Sequence, residues 1–151
     1  MNKFLWLSDI QWSALSSIST FLAVMVALFA PAVTNFFKMK NILDVVSAEV
    51  ERNREVFKTA YKIPPQAPQY PDYRVLKAIM LKEISIDTWN QYRIIIGENH
   101  PQKYIKFLQI YSLLSKLKEF SLEITSNSKN SIYAQTILVL MDEFNEKYGD
   151  V

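Results

Sequence analysis

Arg93 and His100 are the two residues of this chain whose types and spacing invite a chemical reading. They lie in the stretch RIIIGENHP, Arg93 to Pro101, and His100 is the single histidine of the sequence. A guanidinium is a planar, two-pronged clamp for phosphate. An imidazole titrates near neutrality and can exchange protons as acid or base. Seven residues apart on a continuous helix, two side chains share one face. A phosphate-binding type and a proton-exchanging type would then stand on the same side of one helix. The local sequence also supports a different reading, and it is the preferred one. Gly97 is a helix stop signal, and His100 precedes a proline, which pushes it out of α conformation. Arg93 then sits in the last turn of a helix, where a cation complements the dipole. Asn99 or His100 caps the helix that follows, which Pro101 opens.

Composition narrows the chemistry further. The chain has 151 residues, half of them hydrophobic, with two glycines and no cysteine. The length suits one domain. Without cysteine there is no disulfide framework and no thiolate metal site. One histidine excludes a His-rich zinc centre, and the carboxylates fall in no spacing expected for calcium or magnesium, so no metal or other cofactor is expected. No small-molecule substrate is evident. A net charge of +2 is too small for nucleic-acid binding by bulk electrostatics. Scarce glycine leaves little material for phosphate-cradling loops. The class is all-α.

The N-terminal third decides what kind of helical protein this is. From Ile10 to Phe37 no residue is charged, and a hydrocarbon core needs roughly 20 largely apolar residues. Residues 1–38 therefore read as an interfacial segment and a transmembrane helix, and residues 39–151 as a cytoplasmic helical bundle. Lys38, Lys40, Arg52, Arg54, Lys58 and Lys62 follow the span, against Lys3 before it. The positive-inside rule then places the N-terminus outside and the C-terminus in the cytoplasm, with Trp6 and Trp12 at the outer interface.

The span is patterned. Ser13, Ser16, Thr20, Ala23, Ala27, Ala30 and Thr34 recur at steps of three and four, and all are small. Small residues let helix backbones approach, and hydroxyls can bond across the contact. The same steps continue through Met39, Leu43, Val46, Val50, Asn53, Phe57 and Tyr61, so one helix is expected to leave the bilayer and keep packing along a seam. Asn53 is its one polar member. It is read either as a residue that fixes register between copies or as a capping residue at the solvent edge. Pro31 is expected to bend the helix.

The segment YKIPPQAPQYPDY ends that helix and reads as a semi-rigid connector. Helices are expected over RVLKAIMLKEI, over DTWNQYRIII with Ser85 or Asp87 as cap, over PQKYIKFLQIYSLLSKLKEFSLEIT, and over IYAQTILVLMDEFNEKY. The third carries Tyr104, Ile105, Phe107, Leu108, Tyr111, Leu114, Leu117 and Phe120 over too wide an arc for a lone surface helix, so it belongs at the centre. A polar loop, SNSKNS, precedes the last, in which Ile137, Leu138, Leu140, Met141 and Phe144 face inward.

The Arg-x6-His element resembles the Arg-x4-6-His signature of HEPN-type ribonucleases, although Ile94 stands where a polar residue usually follows the arginine. The whole layout, a single membrane helix running into a small helical bundle with Arg93 and His100, is similar to the small membrane accessory proteins of type VI-B CRISPR systems. The EVERN element at Glu49 to Asn53 belongs to the same outline, which many bacterial single-span proteins share. That resemblance implies a homo-oligomeric ring, a pore in the bacterial inner membrane that weakens or depolarises it, and antiphage defence beside an RNA-guided effector. Two other functions stay open at this point: a membrane-tethered ribonuclease acting through Arg93 and His100 on RNA, and a non-enzymatic scaffold for a soluble partner.

Overall fold

Among the described residues every element is an α-helix, and the first is the longest. The computed structural model describes residues 9–64, 73–126 and 131–148. Trp6, most of the proline-rich segment and most of the SNSKNS loop lie outside the described residues. Helix α1 runs Asp9–Tyr61, α2 Tyr73–Leu81, α3 Asp87–Asn99, α4 Pro101–Ser126 and α5 Ser131–Tyr148. By its contacts the chain divides into two units, residues 1–41 and residues 42–151.

The first unit contains one described element, the N-terminal part of α1. From Trp12 to Asn41 all side chains are exposed except Met25 and Met39, which are half-buried. The helix is long and apolar enough to cross a membrane, and none of its apolar window is buried. Helical assignment continues through Pro31. That residue lacks an amide hydrogen, so the Ala27 carbonyl has no donor four residues on.

In the second unit the remaining part of α1 is amphipathic. Ile42, Leu43, Val46, Val50, Phe57 and Ala60 are buried at helical spacing, with Glu49 and Asn53 among them. Each large apolar side chain removed from water contributes about 1.5–3 kcal/mol, and this stripe is what fastens α1 to the other helices. Phe57 meets Phe144 of α5 with ring centroids 4.6 Å apart. Helix α4 packs against α2, α3 and α5, as its central position in the sequence reading requires. It buries Tyr111, Leu113, Leu114, Leu117, Ser121 and Ile124. Its N-terminal turns depart from that reading, because Ile105 and Leu108 are exposed and Tyr104 and Phe107 half-buried, and further along Phe120 is half-buried too. On α5, Ile137, Leu140, Met141 and Phe144 are buried as expected, whereas Leu138 is only half-buried.

Two expected helix boundaries move. Helix α3 does not stop at Gly97 but continues to Asn99. The glycine is instead a contact point: a Cβ at Gly97 would meet the Tyr104 ring at 3.4 Å. Helix α2 ends at Leu81 rather than Ile84, and three turn bonds (Lys82 to Ala78, Glu83 to Met80 and Ile84 to Leu81) carry the chain onward. Because Gly97 lies inside a helix, Gly97→Ala is expected to stabilise the protein by up to about 1 kcal/mol, the helix-propensity difference. Thermal unfolding checks this. A large loss of stability would show that the Tyr104 contact tolerates no methyl group.

Candidate functional site

The polar residues that the fold brings together are Glu49, Asn53, Ser85 and Tyr111. Glu49 and Asn53 are four residues apart on α1 and project from one face, into the turn that opens α3. Asn53 Oδ1 accepts from the Ser85 amide at 2.8 Å, and its Nδ2 donates to the Ser85 carbonyl at 2.5 Å. One side-chain amide thus satisfies both backbone groups of a residue outside any helix.

Glu49 does more. Its Oε1 accepts from the Ser85 hydroxyl at 2.8 Å and from the Thr88 amide at 3.0 Å. Its Oε2 accepts from the Trp89 amide at 3.1 Å and from the Tyr111 hydroxyl at 2.7 Å. The first turn of a helix has amides with no partner of their own, and here a carboxylate from a distant helix supplies two of them with acceptors. The residue ahead of α3 is Ile86, whose side chain makes no cap. Of the two caps expected from the sequence, Ser85 accepts only the Asp87 amide, at 3.4 Å, and Asp87 stands in the first turn. The main capping group is Glu49, on another element. A negative charge at that end also opposes the positive pole of the helix dipole.

The electrostatics follow from the contacts. Burial by itself would raise the Glu49 pKa, yet the Tyr111 hydroxyl, the Ser85 hydroxyl and the Thr88 and Trp89 amides together hold it below the ordinary carboxylate range. Burial and the adjacent carboxylate push the Tyr111 hydroxyl far above its ordinary range. Tyr111 lies flat on Trp89, centroids 5.0 Å apart and 6° from parallel. Both carboxylate oxygens are saturated with donors, so Glu49 has neither a free lone pair nor a suitable pKa for general-base work. The cluster is a clamp, not a reaction centre.

A second polar group closes the other end of α1. Lys77 is buried, donates to the Tyr61 carbonyl at 2.9 Å and lies 5.4 Å from the Tyr61 ring centre. Burial lowers its pKa, with the Asp142 charge opposing the shift. The lysine thus serves as a cation on the last carbonyl of α1. Tyr61 in turn reaches Asp142 at 3.3 Å.

Arg93 and His100 stand apart from both groups. Arg93 is exposed in the middle of α3, not in its last turn, because the helix runs on past Gly97. His100 is exposed and belongs to neither helix, with φ −141° and ψ 68°. Its amide donates to the Ile96 carbonyl at 2.7 Å and its carbonyl accepts from the Tyr104 amide at 2.9 Å. One residue therefore ends α3 and begins α4. Asn99 does not cap α4, since its side chain donates back to the Ile95 carbonyl at 2.8 Å. The histidine backbone has a positional duty that needs no imidazole.

The residues of the sequence seam are placed differently from its membrane part. Leu43, Val46, Val50, Asn53 and Phe57 are buried within the second unit, by this chain's own helices. Asn53 is the partner of Ser85, neither a register residue between copies nor a solvent-edge cap. By contrast Ser13, Ser16, Thr20, Ala23, Ala27, Ala30 and Thr34 are all exposed. The Thr20 and Thr34 hydroxyls donate to the Ser16 and Ala30 carbonyls within the helix, at 2.9 and 2.8 Å. Among the described residues no three His, Asp or Glu side chains gather as a metal set.

Replacing Glu49 with Gln would put an amide donor against N–H and O–H donors. An uncompensated buried group of this kind costs about 2–4 kcal/mol, so Glu49→Gln is expected to lower the denaturant midpoint of the detergent-solubilised chain. Because the folded carboxylate has the lower pKa, its contribution is complete above the unfolded value and is lost as pH falls through the folded one. The gap between wild type and variant should therefore close below about pH 4. A gap that is constant across that range contradicts the clamp.

Comparison with protein-family models, curated proteins and solved structures finds no match for this chain.

Proposed function

We propose that this chain is a single-pass membrane protein that assembles with copies of itself through its apolar helix and encloses a narrow pore. One observation carries the reading: the surface of α1 from Trp12 to Phe37 is uncharged and almost wholly exposed. That stretch is about 39 Å long at helical rise, more than the roughly 30 Å of hydrocarbon in a bilayer. Lys38 and Lys40 follow at once, which favours a cytoplasmic C-terminal side.

Self-association is supported by the exposed small-residue stripe and by the vacancy that Pro31 creates at the Ala27 carbonyl. In a bilayer no water reaches such a carbonyl, so a neighbouring helix is the natural source of its donor. The seam residues Leu43, Val46, Val50, Asn53 and Phe57 are buried inside one chain, so that face of α1 is not offered to another copy, and the span is the interface proposed. The stripe has no ionisable group, so a pore built on it selects by width rather than by charge. A role in antiphage defence rests on the resemblance to the type VI-B accessory proteins, as does the inner-membrane location. Exposed Arg93 and His100 give no enclosed site, and the reading is non-enzymatic.

The test is co-purification of two differently tagged copies from detergent. Ala23→Leu with Ala27→Leu fills the stripe and is expected to reduce co-purification several-fold, with membrane leakage falling in parallel. Undiminished co-purification of the double variant contradicts the interface.

A further inference from the structure

We propose that the pocket beside Lys77, where the last turn of α1 meets α2 and α5, binds a small molecule that carries one carboxylate on a short apolar body. The pocket has a volume of about 420 Å³, within the roughly 300–1,000 Å³ of small-molecule sites. Every residue that lines it belongs to the second unit, so its shape does not depend on the apolar N-terminal part of α1. Apolar lining comes from Ile63 after α1 and from Leu138 and Met141 of α5, and Tyr61 and Tyr73 add aromatic groups. The charged groups are Lys62, Lys77 and Asp142. A largely apolar wall with a few convergent polar groups is the usual make-up of a ligand site.

Lys77 is the group that calls for a ligand. It is 6% exposed, and a buried ammonium is costly unless acceptors and a counter-charge meet it. Its Nζ donates once, to the Tyr61 carbonyl at 2.9 Å, and lies 5.4 Å from the centre of the Tyr61 ring. Neither the carbonyl nor the ring carries a formal charge. An ammonium has three donors, so two of them have no hydrogen-bond acceptor among the described residues. No carboxylate forms an ion pair with Lys77 among those residues either. Asp142 is near enough to act on the lysine charge, but it is exposed and accepts the Tyr61 hydroxyl at 3.3 Å. Burial lowers the Lys77 pKa by more than Asp142 raises it, the mark of a cation whose surroundings are short of negative charge.

Charge selects the ligand. A carboxylate has two oxygens to offer the two unmet donors, and charge-assisted bonds of this kind are the strong ones. The lining sets two cations, Lys62 and Lys77, against one anion, Asp142, which matches a single negative charge better than a phosphate dianion. The ring or chain of the ligand would then lie against Leu138, Met141 and the tyrosines, where apolar area leaves water.

The test is fluorine NMR of para-fluorophenylacetate added to the full chain in detergent. Saturable line broadening is expected, reversed by unlabelled phenylacetate. The neutral para-fluorophenylethanol keeps the ring and lacks the charge, and should bind about tenfold more weakly, the factor that one charge-assisted contact supplies. Lys77→Met should weaken binding of the acid by about the same factor and leave that of the alcohol unchanged. Because Lys77 also holds the last carbonyl of α1, thermal unfolding of each variant is followed alongside. Leu138→Trp fills the pocket from a half-buried position and should remove binding of the acid while the chain stays folded. Absence of saturable broadening in the wild type, equal binding of acid and alcohol, or undiminished binding in Leu138→Trp overturns the proposal. Displacement by inorganic phosphate at lower concentration than by phenylacetate overturns the choice of a carboxylate.

Discussion

Four donors converge on one buried carboxylate, that of Glu49, and the organisation of residues 42–151 follows from that contact. A carboxylate removed from water is costly unless its lone pairs are met. Here they are met by the first turn of α3, by Ser85 and by Tyr111 of α4. The donors come from three places in the chain, so the ion pulls the start of α3 and the middle of α4 onto one point of α1. Asn53, one turn further on, fixes the strap between α2 and α3 through both backbone groups of Ser85. Apolar burial supplies most of the stabilisation, but it is non-directional. The polar clamp decides which turn of α3 meets which turn of α1.

That constraint has a consequence for assembly. A helix face committed to its own chain cannot also be the seam between chains. With Val46, Phe57 and Ala60 at 0–1% exposure, α1 has no free apolar stripe beyond Ile42 along this register. The N-terminal part is the opposite case, exposed around its circumference among the described residues. The two parts of one helix, alike in spacing, therefore differ in surroundings. One packs against α3, α4 and α5, and the other has the composition of a surface solvated by lipid.

Much of the helical layout was legible in the sequence, since it rests on local rules. The uncharged run to Phe37, the apolar period of three and four, and Pro101 at the first turn of α4 all act within a few residues. Long-range contacts were not legible. Gly97 looks like a stop signal, but the Tyr104 ring against it and the continued helix to Asn99 depend on packing. The seam was read as a contact between copies because spacing alone does not say whose surface covers it. Little in the local pattern singles out Glu49 or Lys77 as buried polar groups. A carboxylate four residues before an asparagine on an otherwise apolar stripe was the available signal, and the partners that give it meaning lie 32 to 62 residues away. Arg93 and His100 have the chemistry of a phosphodiester site by type, while their placement gives His100 the role of a junction between helices.

Assembly through the span is the claim on which the functional reading turns, and the native mass of the intact, detergent-solubilised chain measures it directly. The account predicts a discrete ring-sized complex, larger than a dimer and unchanged by mild dilution. A monomer would contradict self-association outright. A simple dimer would leave too few helices to enclose a path through the membrane, and the pore would have to be abandoned.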